Sequence, residues 1–151
     1  MCGLPGAGKT TRARELELQF RAVRLTPDEW ITASLGPNPS YEVLNAARDP
    51  TEALQWNLAA RLLTLGIDVI LDFGFWSREE RESYRARAAV LGVGSMLHFI
   101  DAAPAALRDR LARRRVDRPD STFLVTDAQL AEWSALFQTP SADELIPRAA
   151  P

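Results

Sequence analysis

The chain has 151 residues, of which 46% are hydrophobic and 25% are charged, as expected for one globular domain large enough to bury a core. A net charge of −2 argues against a general nucleic-acid-binding surface, and the single cysteine excludes an internal disulfide and any multi-cysteine metal site. No apolar run reaches membrane-spanning length and the start does not resemble a signal peptide, so we expect one cytoplasmic domain, residues 1–151, with no membrane partner.

The first ten residues contain the most specific motif of the chain. Gly3, Gly8, Lys9 and Thr10 match the P-loop pattern G-x-x-x-x-G-K-[ST]. Glycines let backbone N–H groups approach a phosphate, and the positive end of the following helix points at the same anion. Lys9 is also the only lysine among 18 basic residues. The alternative is a glycine-rich turn before an ordinary helix. The predicted ATP-binding residues are Gly3, Leu4, Pro5, Gly6, Ala7, Gly8, Lys9, Thr10 and Thr11.

The strand that normally precedes a P-loop has little room here. Only Met1 and Cys2 come before Gly3, so the first strand is predicted to be missing or reduced to a stub. A start downstream of the true one, a shortened chain, or a sheet completed in another way would each explain this. We expect a form with a few apolar residues added before Met1 to be more stable.

Helical and strand patterns alternate along the rest of the chain. The predicted elements are a helix over 11–20, a strand over 22–26, a short helix over 41–48, a helix starting at 49–52 and ending at Gly66, a strand over 67–73, a helix from Ser77, a strand over 95–101, a helix from Pro104, and a last helix capped by Thr126 and Gln129. The predicted buried stripe of the fourth of these is Leu54, Leu58, Leu62 and Leu65. The chain from about residue 140 is predicted to be loose. This alternation predicts an α/β, three-layer P-loop NTPase fold with a parallel sheet.

Asp72 directly follows the apolar run 69–71 at the end of the clearest strand. An acid delivered by a buried strand beside a P-loop predicts a ligand of Mg²⁺ or of its water, opposite Thr10. The alternative is a carboxylate that caps the turn at Gly74.

Asp28 is the candidate general base, because it follows the strand after the P-loop helix and should face the γ-phosphate from the acceptor side. The alternative is a helix N-cap, and the two roles are compatible.

The densest basic run predicts a lid over about 110–122. Guanidinium groups there could clamp a transferring phosphoryl group, whereas the alternative is a solvated helix end. Arg110, Arg114 and Arg118 are the predicted nucleotide-binding members, with Arg114 also catalytic. The full run is Arg110, Arg113, Arg114, Arg115 and Arg118.

Weaker candidates lie at other strand ends. Trp30, Phe75 and Trp76 could stack on a ring, although aromatic residues there are usually core or rim. Arg78 and Arg81 face either an acceptor or solvent. His98, the only histidine, is interpreted as a core residue.

With these residues placed, the chain resembles small P-loop kinases of the AAA-type ATP-binding group, which is similar to polynucleotide kinase phosphotransferase domains, zeta toxins and chloramphenicol phosphotransferase. The likeness covers nearly the whole chain and depends on 3–10, 27–30 and 69–81, with a looser match at the lid. It implies ATP·Mg²⁺-dependent phosphoryl transfer to a hydroxyl or to a nucleotide acceptor, with Asp28 as base and with Arg114 and Arg118 closing on ATP. The short first strand departs from the family pattern, and the likeness does not choose an acceptor.

The predicted function is therefore a phosphotransferase that moves the γ-phosphate of ATP to a hydroxyl of a small-molecule acceptor. The acidic balance favours a small molecule over a 5′-hydroxyl nucleic acid end. A nucleotide-binding switch or slow ATPase without acceptor, a 5′-hydroxyl nucleic acid kinase, and a truncated inactive relative are the alternatives.

Overall fold

The computed structural model describes residues 1–36, 39–117 and 125–151, apart from the side chain of Arg115. Within these ranges the elements are α1 (Lys9–Phe20), β1 (Val23–Leu25), α2 (Pro27–Leu35), α3 (Tyr41–Thr64), β2 (Val69–Leu71), α4 (Arg78–Val90), α5 (Pro104–Asp117), α6 (Asp127–Leu136) and a 3₁₀ turn (Ala142–Leu145). Among these described elements, no helix has both the length and the apolar character that a membrane crossing requires.

The strands pair in parallel, as predicted for an α/β fold. β1 lies beside β2 with Val23 opposite Val69 and Leu25 opposite Leu71. Both strands are shorter than predicted, and the predicted strand over 95–101 contributes only isolated bridges in the described structure. The three-layer arrangement stays a prediction.

The first two residues form a stub of strand inside the sheet. Cys2 makes parallel bridges to Gly74 on one side and to Phe99 on the other. The terminal ammonium of Met1 donates a hydrogen bond of 2.7 Å to the carbonyl oxygen of Leu71. The P-loop therefore leaves the sheet between Gly74, which follows β2, and the segment around Phe99. This position is at the carboxyl ends of parallel strands.

Residues 41–64 form one helix, α3, and the prediction of two helices that meet at residues 48–49 was wrong. Ser40 caps the start of α3, where its side chain accepts a hydrogen bond of 3.3 Å from the Val43 N–H. Pro50 lies inside the helix and lacks an N–H to donate. The helix continues through Pro50 because its packing against α2 and β2 outweighs the local stop signal.

The buried face of α3 also differs from the predicted leucine stripe. Leu44, Gln55 and Ala59 are buried, whereas Leu54 is 62% exposed and Leu65 is 76% exposed. The predicted stripe is therefore half right: Leu58 packs against the core and Leu62 is half-buried, whereas the two ends of the stripe face solvent. Hydrophobic spacing alone does not show which side of α3 meets α2.

The chain beyond residue 140 is held against α4, so the prediction of a loose tail was wrong. Arg81 and Glu144 form a buried ion pair with two hydrogen bonds, of 2.6 and 3.0 Å. Arg78 donates to Asp143 at 2.7 Å, and Ser95 and Arg148 exchange backbone hydrogen bonds of 2.9 Å. Arg78 and Arg81 therefore bind the tail and not an acceptor.

Two predicted helix starts are confirmed. Ser77 accepts a hydrogen bond of 3.0 Å from the Glu80 N–H at the start of α4. Thr126 and Gln129 form a capping box at the start of α6. Both motifs are complete within four residues, which makes them readable from the sequence.

Candidate functional site

The P-loop joins the stub at Met1 and Cys2 to α1. Gly3 has a φ of 143°, and a Cβ at this position would overlap the carbonyl oxygen of Ile100. Gly8 has a φ of 107° and forms the N-cap of α1. Glycine is therefore required where the loop leaves the sheet, and the amino end of α1 gives the site its positive helix terminus.

Lys9 lies in the first turn of α1, where negative and positive side chains both act on its charge. Its Nζ donates a hydrogen bond of 3.0 Å to the carbonyl oxygen of Leu4. Burial lowers the pKa of Lys9, while the carboxylates of Asp72 and Asp28 raise it and the guanidinium of Arg114 lowers it. The structure thus brings both predicted acids and one predicted lid arginine within electrostatic range of the P-loop lysine.

Thr10 and Asp72 lie in direct contact. The Thr10 hydroxyl donates a hydrogen bond of 2.7 Å to Asp72 Oδ2. Asp72 is buried, and its Oδ1 has no hydrogen-bond partner among the described residues. A hydroxyl beside a buried carboxylate with one oxygen unsatisfied fits the hard oxygen ligands that Mg²⁺ prefers.

Such a cation would need further ligands from elsewhere. In the described ranges, no group of three or more His, Cys, Asp or Glu side chains could hold a metal ion. Mg²⁺ usually takes only one or two protein ligands and completes its shell with waters and substrate phosphates. The Thr10 and Asp72 pair is consistent with that mode.

Asp28 lies in the first turn of α2 and does not cap it, because Thr26 is the N-cap residue and Pro27 begins the helix. Asp28 Oδ1 accepts a hydrogen bond of 2.8 Å from Arg48 Nη2, and the Asp28 side chain is 45% exposed. Arg48 Nη1 also lies 3.7 Å from Glu52 Oε1 one turn along α3. Arg48 and Glu52 were not among the residues predicted from the sequence, although their i,i+4 spacing was an available signal.

Two further carboxylates adjoin this pair. Burial raises the pKa of Glu52 to about 7, with Arg48 opposing this and Glu80 adding to it. Burial also raises the pKa of Glu80, whose Oε2 accepts a hydrogen bond of 2.9 Å from the Trp76 N–H. The negative charge of Glu80 on α4 therefore opposes ionisation of Glu52 on α3, while Arg48 favours it.

Trp76 places an aromatic surface beside the P-loop. A Cβ built on Gly74 would lie 3.2 Å from the indole nitrogen of Trp76 and 4.0 Å from Lys9 Cε, so both side chains border Gly74. The Trp76 ring centroid lies 5.5 Å from that of Trp133 on α6, which in turn lies 6.2 Å from Tyr41 on α3. Three elements thus contribute to one aromatic cluster next to Lys9.

The predicted lid arginines have different positions. Arg110 Nη1 donates to the P-loop carbonyl oxygens of Ala7 at 2.8 Å and Gly6 at 3.4 Å. Arg114 is exposed one turn further along α5, on the same helix face. Arg118 lies outside the described residues, as does the rest of the predicted lid from residue 118 to 122.

The remaining weak candidates lie away from this cluster. Phe75 is buried in the core, and Trp30 is 39% exposed on α2. His98 is half-buried, so it lies at the edge of the core and not within it as predicted, and burial lowers its pKa.

Comparison with known protein families gives one match. A family model described as an AAA domain matches residues 1–140, a span that contains the P-loop, Asp28, Asp72 and the described helices α1 to α6. A search of curated proteins finds no match to the chain.

Proposed function

The chain belongs to the AAA domain family of P-loop nucleotide-binding domains, and we propose that it is an ATP-dependent phosphotransferase acting on the hydroxyl of a small-molecule acceptor. One observation carries the proposal. Asp28 acts electrostatically on Lys9, and its carboxylate is held by Arg48 while remaining 45% exposed. A nucleotide switch needs no oriented carboxylate at this position, whereas a kinase needs a group to accept the hydroxyl proton.

The phosphate side of the site follows from the P-loop. Lys9 and the loop amides bind the β- and γ-phosphates, and Thr10 and Asp72 are the residues that would hold Mg²⁺. A bound magnesium ion would neutralise charge on the phosphate oxygens. Arg110 keeps the loop in shape through its hydrogen bonds to the P-loop carbonyl groups, and Arg114 supplies positive charge near the transferring group.

The transfer step balances with these residues. The acceptor oxygen attacks the γ-phosphorus, the new P–O bond forms as the bond to the β–γ bridging oxygen breaks, and ADP leaves. The Asp28 carboxylate accepts the hydroxyl proton, for which Oδ2 is the atom we assign because Oδ1 is bonded to Arg48. A positioned base of this kind contributes about 10²–10⁴-fold to the rate.

Substitution of Asp28 tests the proposal. The protein and its Asp28→Asn variant are mixed with ATP·Mg²⁺ and pooled nucleosides, sugars, hydroxylated antibiotics and 5′-hydroxyl oligonucleotides, and phosphorylated product is detected by mass spectrometry. We expect Asp28→Asn to bind ATP normally and to lose the product. Asp68→Asn is the matched control, because Asp68 is exposed at the opposite, amino end of β2.

Other outcomes identify the alternatives. Equal ADP release by both proteins with no labelled acceptor would indicate a switch or slow ATPase and would remove Asp28 from the catalytic residues. Labelled oligonucleotides, with activity that falls steeply between low and moderate salt, would indicate a nucleic acid kinase.

A further inference from the structure

We infer that the protein binds the carboxyl-terminal end of a partner polypeptide as an added strand of its sheet, in a cavity between β2 and the segment 95–98. The cavity has a volume of about 460 Å³ and is lined within the sheet by β2 and by that segment. We call it the strand slot. The inference is separate from the proposed phosphotransferase, because Lys9, Asp28 and Asp72 lie outside the lining of the strand slot.

The stub at the start of the chain marks the line of the strand slot. Cys2 bridges Gly74 on one side and Phe99 on the other, in parallel with both. Met1 lines the cavity, and its ammonium donates a hydrogen bond of 2.7 Å to the carbonyl oxygen of Leu71. The strand slot therefore continues the line of Met1 and Cys2 backward, away from the P-loop.

The β2 wall of the strand slot offers backbone groups to a new strand. Successive residues of a strand in a parallel sheet direct their N–H and C=O groups to opposite sides. β1 donates a hydrogen bond of 2.8 Å to the Asp68 carbonyl oxygen and accepts one of 2.9 Å from the Asp72 N–H. Val69 and Leu71 alternate with these residues, so their backbone groups point away from β1 and towards the strand slot.

The opposite wall has the same alternation. Ser95 exchanges backbone hydrogen bonds of 2.9 Å with Arg148, which lies on the far side of this segment. The carbonyl oxygen of His98 accepts a hydrogen bond of 2.8 Å from the Cys2 N–H on the near side. Met96 and His98 therefore direct their backbone groups towards the strand slot. A peptide between the two walls would be bound as an added strand, with main-chain hydrogen bonds to both.

The faces of the sheet at the strand slot require an apolar occupant. Ile70 packs on one face against the cluster that contains Leu16 of α1. Val69 and Leu71 pack on the other face against the cluster that contains Ala59 of α3. A strand covered on both faces has a continuous apolar run and not an alternating one. Because β2 has 3 residues, the occupant needs at least about three apolar residues in succession.

The occupant must also end at Met1. Met1 and Cys2 occupy the same strand line, so a longer strand would collide with them. An occupant parallel to β2 ends there in a carboxylate, whereas an antiparallel one would place an ammonium against the Met1 amine. Burial lowers the pKa of that amine to about 6. Its neutral and charged forms both donate hydrogen bonds to a carboxylate, and the charged form repels an ammonium.

A second copy of this chain does not supply such an end. The chain terminates in Ala-Ala-Pro at residues 149–151. Proline cannot donate to a strand ladder, and alanine fills little of an apolar cavity. The partner is therefore a different polypeptide, one that ends in residues such as valine, isoleucine or leucine.

Synthetic peptides test the inference by calorimetry. The probe is acetyl-Lys-Lys-Val-Ile-Val with a free carboxylate, whose lysines keep it soluble and remain outside the strand slot. The same peptide with a terminal amide should bind about tenfold more weakly, because a charge-assisted contact is lost. N-methylation of its isoleucine should weaken binding at least about tenfold, because a ladder hydrogen bond is blocked. Replacement of Val-Ile-Val by Ser-Gly-Ser should abolish binding at millimolar concentration.

Hydrogen exchange locates the bound peptide. The amide protons of Val69, Leu71 and Met96 should exchange at least about tenfold more slowly when the probe is bound, because they become donors to the added strand. The Ser95 amide is the internal reference, since it already donates to Arg148. Its exchange should slow by a smaller factor than that of the three slot-facing amides.

One pair of variants assigns binding to the cavity. Ala59 is fully buried and lines the strand slot, so the longer side chain of Ala59→Leu should fill part of it and weaken the probe at least about tenfold. Ala53→Leu is the matched control, because Ala53 is exposed on the same helix. Thermal unfolding of both variants verifies that they are folded, and the peptide comparisons on the unsubstituted protein do not depend on either.

Three results would overturn the inference. Equal binding of the carboxylate and amide peptides would mean that the occupant need not end at Met1. Equal binding of the N-methylated peptide would indicate an apolar ligand of the cavity and not an added strand. Failure of the folded, unsubstituted protein to bind the probe at millimolar concentration would exclude the strand slot as a peptide site. Phosphorylation of an acceptor is measured separately and changes none of these outcomes.

Discussion

The hydroxyl of Thr10 donates a 2.7 Å hydrogen bond to Asp72, and this contact joins the first turn of α1 to the end of β2 across 62 residues of sequence. It leaves the second carboxylate oxygen of Asp72 buried and without a partner among the described residues. The same two side chains thus connect the P-loop to the sheet and supply the oxygen ligands that a magnesium ion would need.

Asp72→Asn should lose the magnesium-dependent part of ATP binding. The amide keeps the size of the carboxylate but removes the negative charge that a cation needs. Titration of ATP by calorimetry with and without Mg²⁺ measures the difference, which we expect to shrink at least about tenfold. The Asp68→Asn variant should keep the full magnesium effect. An unchanged magnesium effect in Asp72→Asn would exclude Asp72 as a ligand.

Glu144→Gln should unfold more easily than any variant of the exposed tail. Loss of the carboxylate leaves the Arg81 guanidinium buried without its counter-charge, which costs about 3–5 kcal/mol in comparable buried pairs. Asp143→Asn, one residue earlier, breaks only the exposed pair with Arg78 and should change little. Urea unfolding of the three proteins compares their free energies. Equal destabilisation by both substitutions would mean that the buried pair contributes no more to the free energy of unfolding than the exposed pair does.

Apolar residues added before Met1 should stabilise the protein. A cavity of about 460 Å³ lies between β2 and the segment 95–98, next to Met1 and Leu16. A strand continuing backward from Met1 would enter this cavity, and each large apolar side chain fully buried there contributes about 2 kcal/mol. The melting temperature should rise with an added valine and isoleucine segment but not with a glycine and serine segment of equal length. Equal melting temperatures for the two extensions would contradict this.

The Met1 amino group should make stability depend on pH between about 6 and about 8. Burial lowers the pKa of this amine from 8.0 to about 6, with Asp72 opposing the shift. In this window the unfolded chain therefore binds more protons than the folded chain, so the free energy of unfolding rises with pH. The contribution of the Met1 amine to stability is lost as the pH falls from 8 to 6. A two-unit shift corresponds to about 3 kcal/mol.

Acetylation of the Met1 amine isolates that effect, because it removes the charge while keeping an N–H for Leu71. The acetylated and free forms should differ more in urea unfolding at about pH 6 than at about pH 8. Glu52, with its pKa raised to about 7, makes the free energy of unfolding fall as the pH rises. This contribution is the same in both forms and therefore cancels in the comparison. A constant difference across the window would show that the amine is not desolvated.

Gln55→Met should stabilise the protein. The thioether fills similar volume without an unpaired amide, so roughly 1–3 kcal/mol of desolvation cost is removed. Thermal unfolding of the variant and of the unsubstituted protein measures the difference. A less stable variant would mean that the amide has a partner within the folded chain.

The P-loop, Asp72 and the helix caps could be predicted because their signals are local. The P-loop is contained in residues 3–10, and Asp72 follows its own apolar run directly. The capping motifs at Ser77 and Thr126 are likewise complete within one helical turn. Each of these needs only neighbours along the chain, which the sequence displays in order.

The surroundings of Asp28 could not be predicted in the same way. Asp28 was expected near the γ-phosphate, but its pairing with Arg48, 20 residues later, depends on how α3 packs against α2. The orientation of α3 buries Gln55 and partly buries Arg48 and Glu52, while Leu54 and Leu65 at the two ends of the predicted leucine stripe are exposed. Hydrophobic spacing predicted a different face because it ignores which neighbour the helix meets.

The sequence by itself determined the family of the chain and the conformation of its P-loop, since close backbone approach and a positive helix end require particular residue types in fixed order. Only the tertiary structure decided the buried Arg81 and Glu144 pair, 63 residues apart, and the approach of Trp76 and Lys9 to the same face of Gly74. These contacts join groups from separate elements, and their energies depend on burial and distance, which exist only once the chain is packed.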